Sequence, residues 1–188
     1  MSLRNAKSLR VLISMVFFFV MAAPVLCQAE SAKEMEKEAR KALQDLYAST
    51  SSAKVLGDQA KGILVFPSIA KGGFIVGGQY GEGVLFKNGA ATGYYNTAAA
   101  SFGLQAGLQK FGYALFFMSE SDLKYLNKSD GWEVGVGPSI TVVDTGLAGS
   151  FTTTTAREGV YAFFFDQKGL MAGLGIQGSK ITKMDRKG

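Results

Sequence analysis

The chain has 188 residues, enough for one domain with a core of its own, and its 24 glycines and 12% aromatic content point to a β-rich fold. Three of its 20 basic residues lie in the first ten positions, which leaves 17 against 15 acids from Glu30 onward, too even a balance to argue for nucleic acid on charge alone. The absence of histidine and the single cysteine, Cys27, exclude Ser-His-Asp and Cys-His nucleophile systems, the usual zinc sites and an intrachain disulfide, so no cofactor and no metal are expected.

Arg4, Lys7 and Arg10 precede an apolar run from Val11 to Ala23, followed by Pro24 and small or polar residues. This is the pattern of a secretory signal peptide cleaved after Ala29, and the run is short for a membrane span. The alternative keeps Cys27 as the acylated first residue of a lipoprotein, although Leu26 is not the small residue such sites favour before the cysteine. The expected organisation is a signal peptide over 1–29 and a single domain over 30–188. The protein would then be exported, in the periplasm or associated with the cell envelope.

From Ser31 to about Thr50 the spacing is helical. Met35, Ala39, Ala42, Leu43 and Leu46 form an apolar stripe, with Lys33, Glu34, Glu36, Lys37, Glu38, Arg40 and Lys41 on the other side. Ser51 or Ser52 is placed to cap a second, shorter helix ending near Gly62. The stripe fits a helix laid across a β core, and the alternative is a helix lying on a membrane surface.

Beyond Gly62 the period becomes two. Short strands are expected over Gly62–Phe66, ended by Pro67-Ser68, then over Lys71–Tyr80 and Gly83–Lys87, with a hairpin turn at Asn88-Gly89 leading into Tyr94-Tyr95. Phe102–Gln109 alternates apolar residues with glycine and glutamine, whereas Gly112–Met118 is apolar on both faces, as a strand covered on both sides would be. Ser119-Glu120-Ser121-Asp122 reads as a capping box opening a short helix through Leu126. Strand resumes over Trp132–Val143, with Trp132, Val134 and Val136 on one face, and Thr152–Thr155 is good strand material.

The stretch from Gly159 to Ile181 carries the signature of the whole. Two apolar strands flank a turn at Asp166-Gln167-Lys168-Gly169, and in the second, Leu170, Ala172, Leu174 and Ile176 face away from a nearly bare Gly/Gln side. A bare face lets another element approach the backbone closely. The fold class expected is α+β: N-terminal amphipathic helices packed on a glycine-rich, strongly twisted, mostly antiparallel sheet or partly closed β-barrel.

The stretches GILVFPSIAKGGFIVGGQYGEGVL, YYNTAAASFGLQAGLQKFGYALFFM, DGWEVGVGPSITVVDTG and KGLMAGLGIQGSKI closely resemble the SYLF domain, in its bacterial exported branch, over roughly Ala32 to Met184. The resemblance implies a non-catalytic domain that binds phosphoinositides or other membrane lipids, and in some relatives actin. It implies an anionic phospholipid membrane as partner, with Lys33, Lys37, Arg40 and Lys41 as the nearest counterparts of the family's basic N-terminal segment. At Lys87-Asn88-Gly89 and Gly137-Pro138-Ser139 the chain departs from the eukaryotic pattern, which sets actin aside.

Independently of the resemblance, Lys61 and Lys71 bracket the Phe66-Pro67-Ser68 turn, and with Lys180 they are candidates for a phosphate-binding rim helped by glycine-freed amides. The plain alternative is that each lysine is solvated surface. Glu82, Glu133, Asp144 and Asp166 are the carboxylates nearest to turns, and nothing in their spacing pairs them for acid–base work, so no catalytic residue is assigned. Trp132 and Phe163-Phe164-Phe165 are read as core. The reading is an exported lipid-binding protein, with a small outer-membrane β-barrel or a scaffold for another envelope protein as alternatives.

Overall fold

The computed structural model describes residues 31–128, 131–143, 159–169, 176 and 178–186, with the backbone alone at 74–76, 101–106 and 169. The signal peptide, Cys27, Asp144, Thr152–Thr155 and the segment 170–175 lie outside the described residues.

Ser31 opens the first helix, α1 (Ala32–Ser49), where its hydroxyl accepts from the Glu34 amide at 3.2 Å and satisfies one of the donors that a helix start leaves free. Met35, Ala39, Ala42 and Leu46 are buried, the stripe that the spacing predicts. The second helix, α2 (Ser51–Gly57), differs from expectation at both ends. Thr50 is its cap and makes no side-chain bond there, Ser51 is already inside the helix, and the helix stops at Gly57. At Gly57 the Tyr47 ring fills the space where a β-carbon would sit.

The several short strands expected between Gly62 and Met118 are two long ones, β1 (Gly62–Lys87) and β2 (Ala90–Phe117), paired antiparallel along their whole length. Asn88 and Gly89 make the turn between them with φ of 49° and 76°, both left-handed, as the tight hairpin requires. A straight 26-residue strand would reach about 86 Å, far beyond the radius of gyration of about 15 Å of a domain this size, so the hairpin must bend. Register shifts at Phe66/Ile69, Gly73/Ile75 and Leu85/Phe86 provide the bends. Pro67 falls within the first, so what reads as a strand end is a bulge, the place where a residue without an amide proton is tolerated.

Bent this way, the hairpin folds over on itself. Gly81 lies against Ser68 and Ile69, and Gly83 against Val65 and Phe66, so the two limbs of β1 stack at glycine distance. The rest of the sheet is built on β2. β5 (Val160–Gly169) pairs with its last third and β6 (Lys180–Met184) with Tyr94–Ala98, both antiparallel. The short β3 (Trp132–Glu133) adds to β6, and β4 (Ile140–Val143) lies parallel to β5. The order among the described residues is β3-β6-β2-β5-β4 with β1 also on β2, a mixed α+β fold whose sheet curls into a half-barrel. Between β2 and β3, Ser119 caps α3 (Glu120–Leu123) by accepting from the Asp122 amide, and a 3-10 turn over Lys124–Asn127 completes the helical insertion read from the capping box.

Two further expectations are corrected. Trp132–Val143 is not one strand: Gly135 and Gly137 adopt φ of 106° and 107°, the chain turns, and the Trp132 indole donates to the Val136 carbonyl at 2.9 Å. Val136 is therefore 55% exposed while Trp132 and Val134 are buried. Nor does the chain turn back at Asp166-Gln167-Lys168-Gly169. β5 runs on to Gly169, and Asp166, with φ of 52°, sits at an irregularity opposite the register shift between Lys110 and Gly112.

Alternation divides the core into two layers. Ile63, Val65, Ala114, Phe116, Tyr161 and Phe163 face α1 and α2, where Met35, Ala39 and Leu56 cover them. Leu64, Phe66, Tyr113, Leu115, Phe117 and Ala162 face the concave side, closed by Leu123, Leu126, Trp132 and Ile181. Residues 111–118 are buried on both faces, as the doubly apolar pattern predicts.

Candidate functional site

Where the β1–β2 hairpin doubles back, the two limbs of β1 diverge and leave a groove of about 710 Å³. Ala70, Lys71 and Gly72 line it from one limb and Gly78, Gln79 and Tyr80 from the other, with Leu108, Gln109 and Lys110 from β2 and Lys168 from β5. Its size lies in the range of small-ligand sites.

The register explains which side chains meet there. Lys110 stands directly opposite Lys168, and residues so paired have their β-carbons about 5 Å apart, an arrangement that is unfavourable for like charges unless an anion lies near. Lys71 also lines the groove, but it stands opposite Gln109 on the next rung and so on the other face of the strand from Lys110 and Lys168. Leu108 is 81% exposed, because its partner Gly72 has no side chain to cover it. Tyr80 is half-exposed and donates its hydroxyl to Glu82 at 2.8 Å. Beneath these lie two buried glutamines. Gln79 donates to the Ser179 hydroxyl at 2.9 Å, whereas the Gln109 carbonyl oxygen has no partner among the described residues.

The candidate residues read from the sequence do not converge. On α1, Lys37 pairs with Glu34 at 3.5 Å and Lys41 with Asp45 at 2.5 Å, and Lys33 is exposed. The Asp45 hydrogen bond and charge raise the Lys41 pKa, with a smaller contribution from Asp166. Arg40 has a structural role: its guanidinium donates to the Gly89 carbonyl at 3.0 Å and lies 5.0 Å over the Phe86 ring, tying α1 to the hairpin turn. The proposed rim of Lys61, Lys71 and Lys180 is not assembled. The Lys61 amide bonds the Phe117 carbonyl, Lys71 stands opposite Gln109 and Lys180 opposite Ala98, three different rungs of the doubled-over β2. Only Lys71 reaches the groove.

Lys110, Lys168, Leu108 and Gln109 were not singled out from the sequence. Lys168 lay in an apparent turn, and Lys110 beside a Gly/Gln face, so their meeting emerges only once β2 and β5 are in register. Of the turn-proximal carboxylates, Asp144 lies outside the described residues, Glu82 is held by Arg186 at 2.5 Å, and Glu133 and Asp166 are exposed in separate strands. Among the described residues no three acidic, histidine or cysteine side chains converge to hold a metal.

The groove thus sets Lys110 and Lys168 beside the exposed side chain of Leu108. In a comparison with protein families, residues 98–187 match the model of the Ysc84 family, a SYLF domain described as Las17-binding protein actin regulator. That family is known for lipid and actin-regulating roles. A comparison with curated proteins finds no match.

Proposed function

We propose that this is a non-catalytic, exported lipid-binding protein that engages anionic phospholipid headgroups at a membrane surface of the cell envelope. The observation that carries the reading is Lys110 set against Lys168 on the same face as the exposed side chain of Leu108. Cations gain about 1 kcal/mol each near an anionic bilayer, and an exposed leucine among them gains by leaving water. The family's lipid-binding roles support the same reading. A β-barrel would turn one face of its strands to lipid, whereas here α1 covers one face and the curled sheet itself encloses the other.

Flotation with vesicles of phosphatidylcholine alone and with added phosphatidylglycerol, at low and moderate salt, tests it. The protein floats only with the anionic vesicles and less as salt rises. Replacing both Lys110 and Lys168 by alanine weakens binding by roughly thirtyfold, two cations' worth, while the loss of a like-charged pair leaves the fold at least as stable. Unchanged flotation of the double variant, or none by the parent, overturns the proposal.

A further inference from the structure

We propose that the groove is an acyl-chain site, which takes the single chain of an anionic amphiphile, of the class of lysophospholipids and fatty acids, with its head on Lys110 and Lys168. The inference rests on reading the lysine pair as an anion site and goes beyond it by giving an occupant to the apolar space beside that pair.

Lys110 and Lys168 face each other across β2 and β5, and both are exposed. Leu108 stands two positions before Lys110, so its side chain leaves the same face of β2 about 7 Å away, a few bonds from the cations. The opposite rungs of β1 are nearly bare: Ala70 opposes Lys110 and Gly72 opposes Leu108. From the other limb of β1, Tyr80 and the bare backbone of Gly78 complete the lining. The Tyr80 hydroxyl donates to Glu82, so what Tyr80 offers a ligand is its ring. Leu108 and Tyr80, 81% and 46% exposed, are set about one groove rather than scattered, and such grouped apolar surface gains by being covered.

Charge and shape together name the occupant. An anion alone satisfies the lysines and leaves leucine and tyrosine in water, and a neutral hydrocarbon does the reverse. An anionic head joined to an acyl chain covers both. Volume decides the number of chains. At about 30 Å³ for each water-sized group, a groove of about 710 Å³ holds roughly two dozen of them, one head and one chain, and a two-chain phospholipid has roughly twice as many.

The test is calorimetric titration of the purified protein with lysophosphatidylglycerols from octanoyl to myristoyl, each below its micelle threshold. Lysophosphatidylcholines, whose heads carry no net charge, run in parallel. Affinity for the anionic series rises about two- to fourfold with each added methylene, the range from half to full burial, and levels off once the groove is full. Replacing Lys110 and Lys168 together by alanine weakens every member of that series by a common factor and leaves the slope. Gly78→Leu fills the groove and flattens the slope. A β-carbon there lies 3.5 Å from the Ala99 carbonyl oxygen, an ordinary contact, so the variant keeps the parent's urea midpoint. Leu108→Ser, at an exposed position, flattens the slope too. A slope that survives both changes places the chain elsewhere and overturns the proposal. No gain with chain length, while anionic vesicles still float the protein, overturns the acyl site and leaves the surface anion reading standing. Equal affinity for the two head types overturns the pairing of chain with lysines. No binding of any member, together with no flotation, overturns the anion site itself.

Discussion

A β-carbon on residue 83 would stand 2.5 Å from the Val65 carbonyl oxygen and 2.6 Å from a carbon of the Phe66 ring. The oxygen belongs to the opposed limb of β1 and cannot yield without parting the layers, so Gly83→Val is expected to cost about 2–3 kcal/mol. Urea unfolding measures it, and a midpoint equal to the parent's would mean that the limbs are not stacked as described. Single residues were legible where chemistry is local. Asn88-Gly89 named its own turn because both positions need left-handed backbone, and Ser119 named the start of α3. Asp166 shows the opposite case. Its left-handed φ gives the segment a turn-like composition, yet the strand continues past it because β2 supplies a matching irregularity more than fifty positions earlier in the chain. Lys110 and Lys168 were hidden for the same reason: cross-strand neighbours depend on register, which no local pattern of glycine and lysine contains.

At the scale of elements, α1 was readable because 3.6-residue periodicity is written within the helix itself. Its anchor is Met35, 1% exposed at the first turn of the buried stripe. Met35→Ala is expected to destabilise by about 2–4 kcal/mol, as for other large-to-small core changes, and to loosen the helix face first. Hydrogen exchange that accelerates across α1 before the β2 core checks this; uniform acceleration would count against a helix docked as a separate layer. The strands were readable as apolar stretches but not as units. Pro67-Ser68 and Gly81-Glu82 punctuate β1 as strand ends would, and only pairing with β2 shows the first to be a bulge and the second to lie within one continuous strand. The resemblance points Lys37 and Lys41 toward a ligand, whereas Glu34 and Asp45 pair with them locally.

For the whole molecule, the α+β class and strong curl followed from composition and alternation, while strand order, with parallel β4 beside β5, did not. The doubled core buries tyrosines whose ionisation reports on it. Burial pushes the Tyr47 hydroxyl up to about 12, with help from the Asp58 charge, and raises Tyr95; burial also raises Tyr113, partly offset by its hydrogen bond to Thr97. An unfolded tyrosine loses its proton near pH 10, while the folded ones hold theirs, so above that pH the folded state binds more protons. Stability owed to these groups is complete below pH 10 and declines from there through pH 12. Urea midpoints that fall between pH 9.5 and 11.5, absorbance tracking the phenolates, fit this; a flat profile would show the tyrosines to be in contact with water.

The Asn88-Gly89 turn also fixes the order in which the chain can assemble. Lys87 meets Ala90 across two residues, whereas Gly62 meets Phe117 only after the intervening 54 positions have been drawn together, so pairing spreads outward from the turn. The hairpin must be zipped before it can double over, and only the doubled hairpin offers β5 and α1 a surface on which to dock. Until α1 arrives, the layer containing Val65, Phe116 and Phe163 stands open to water. A hairpin whose ends lie that far apart in sequence closes slowly, and its uncovered face is apolar.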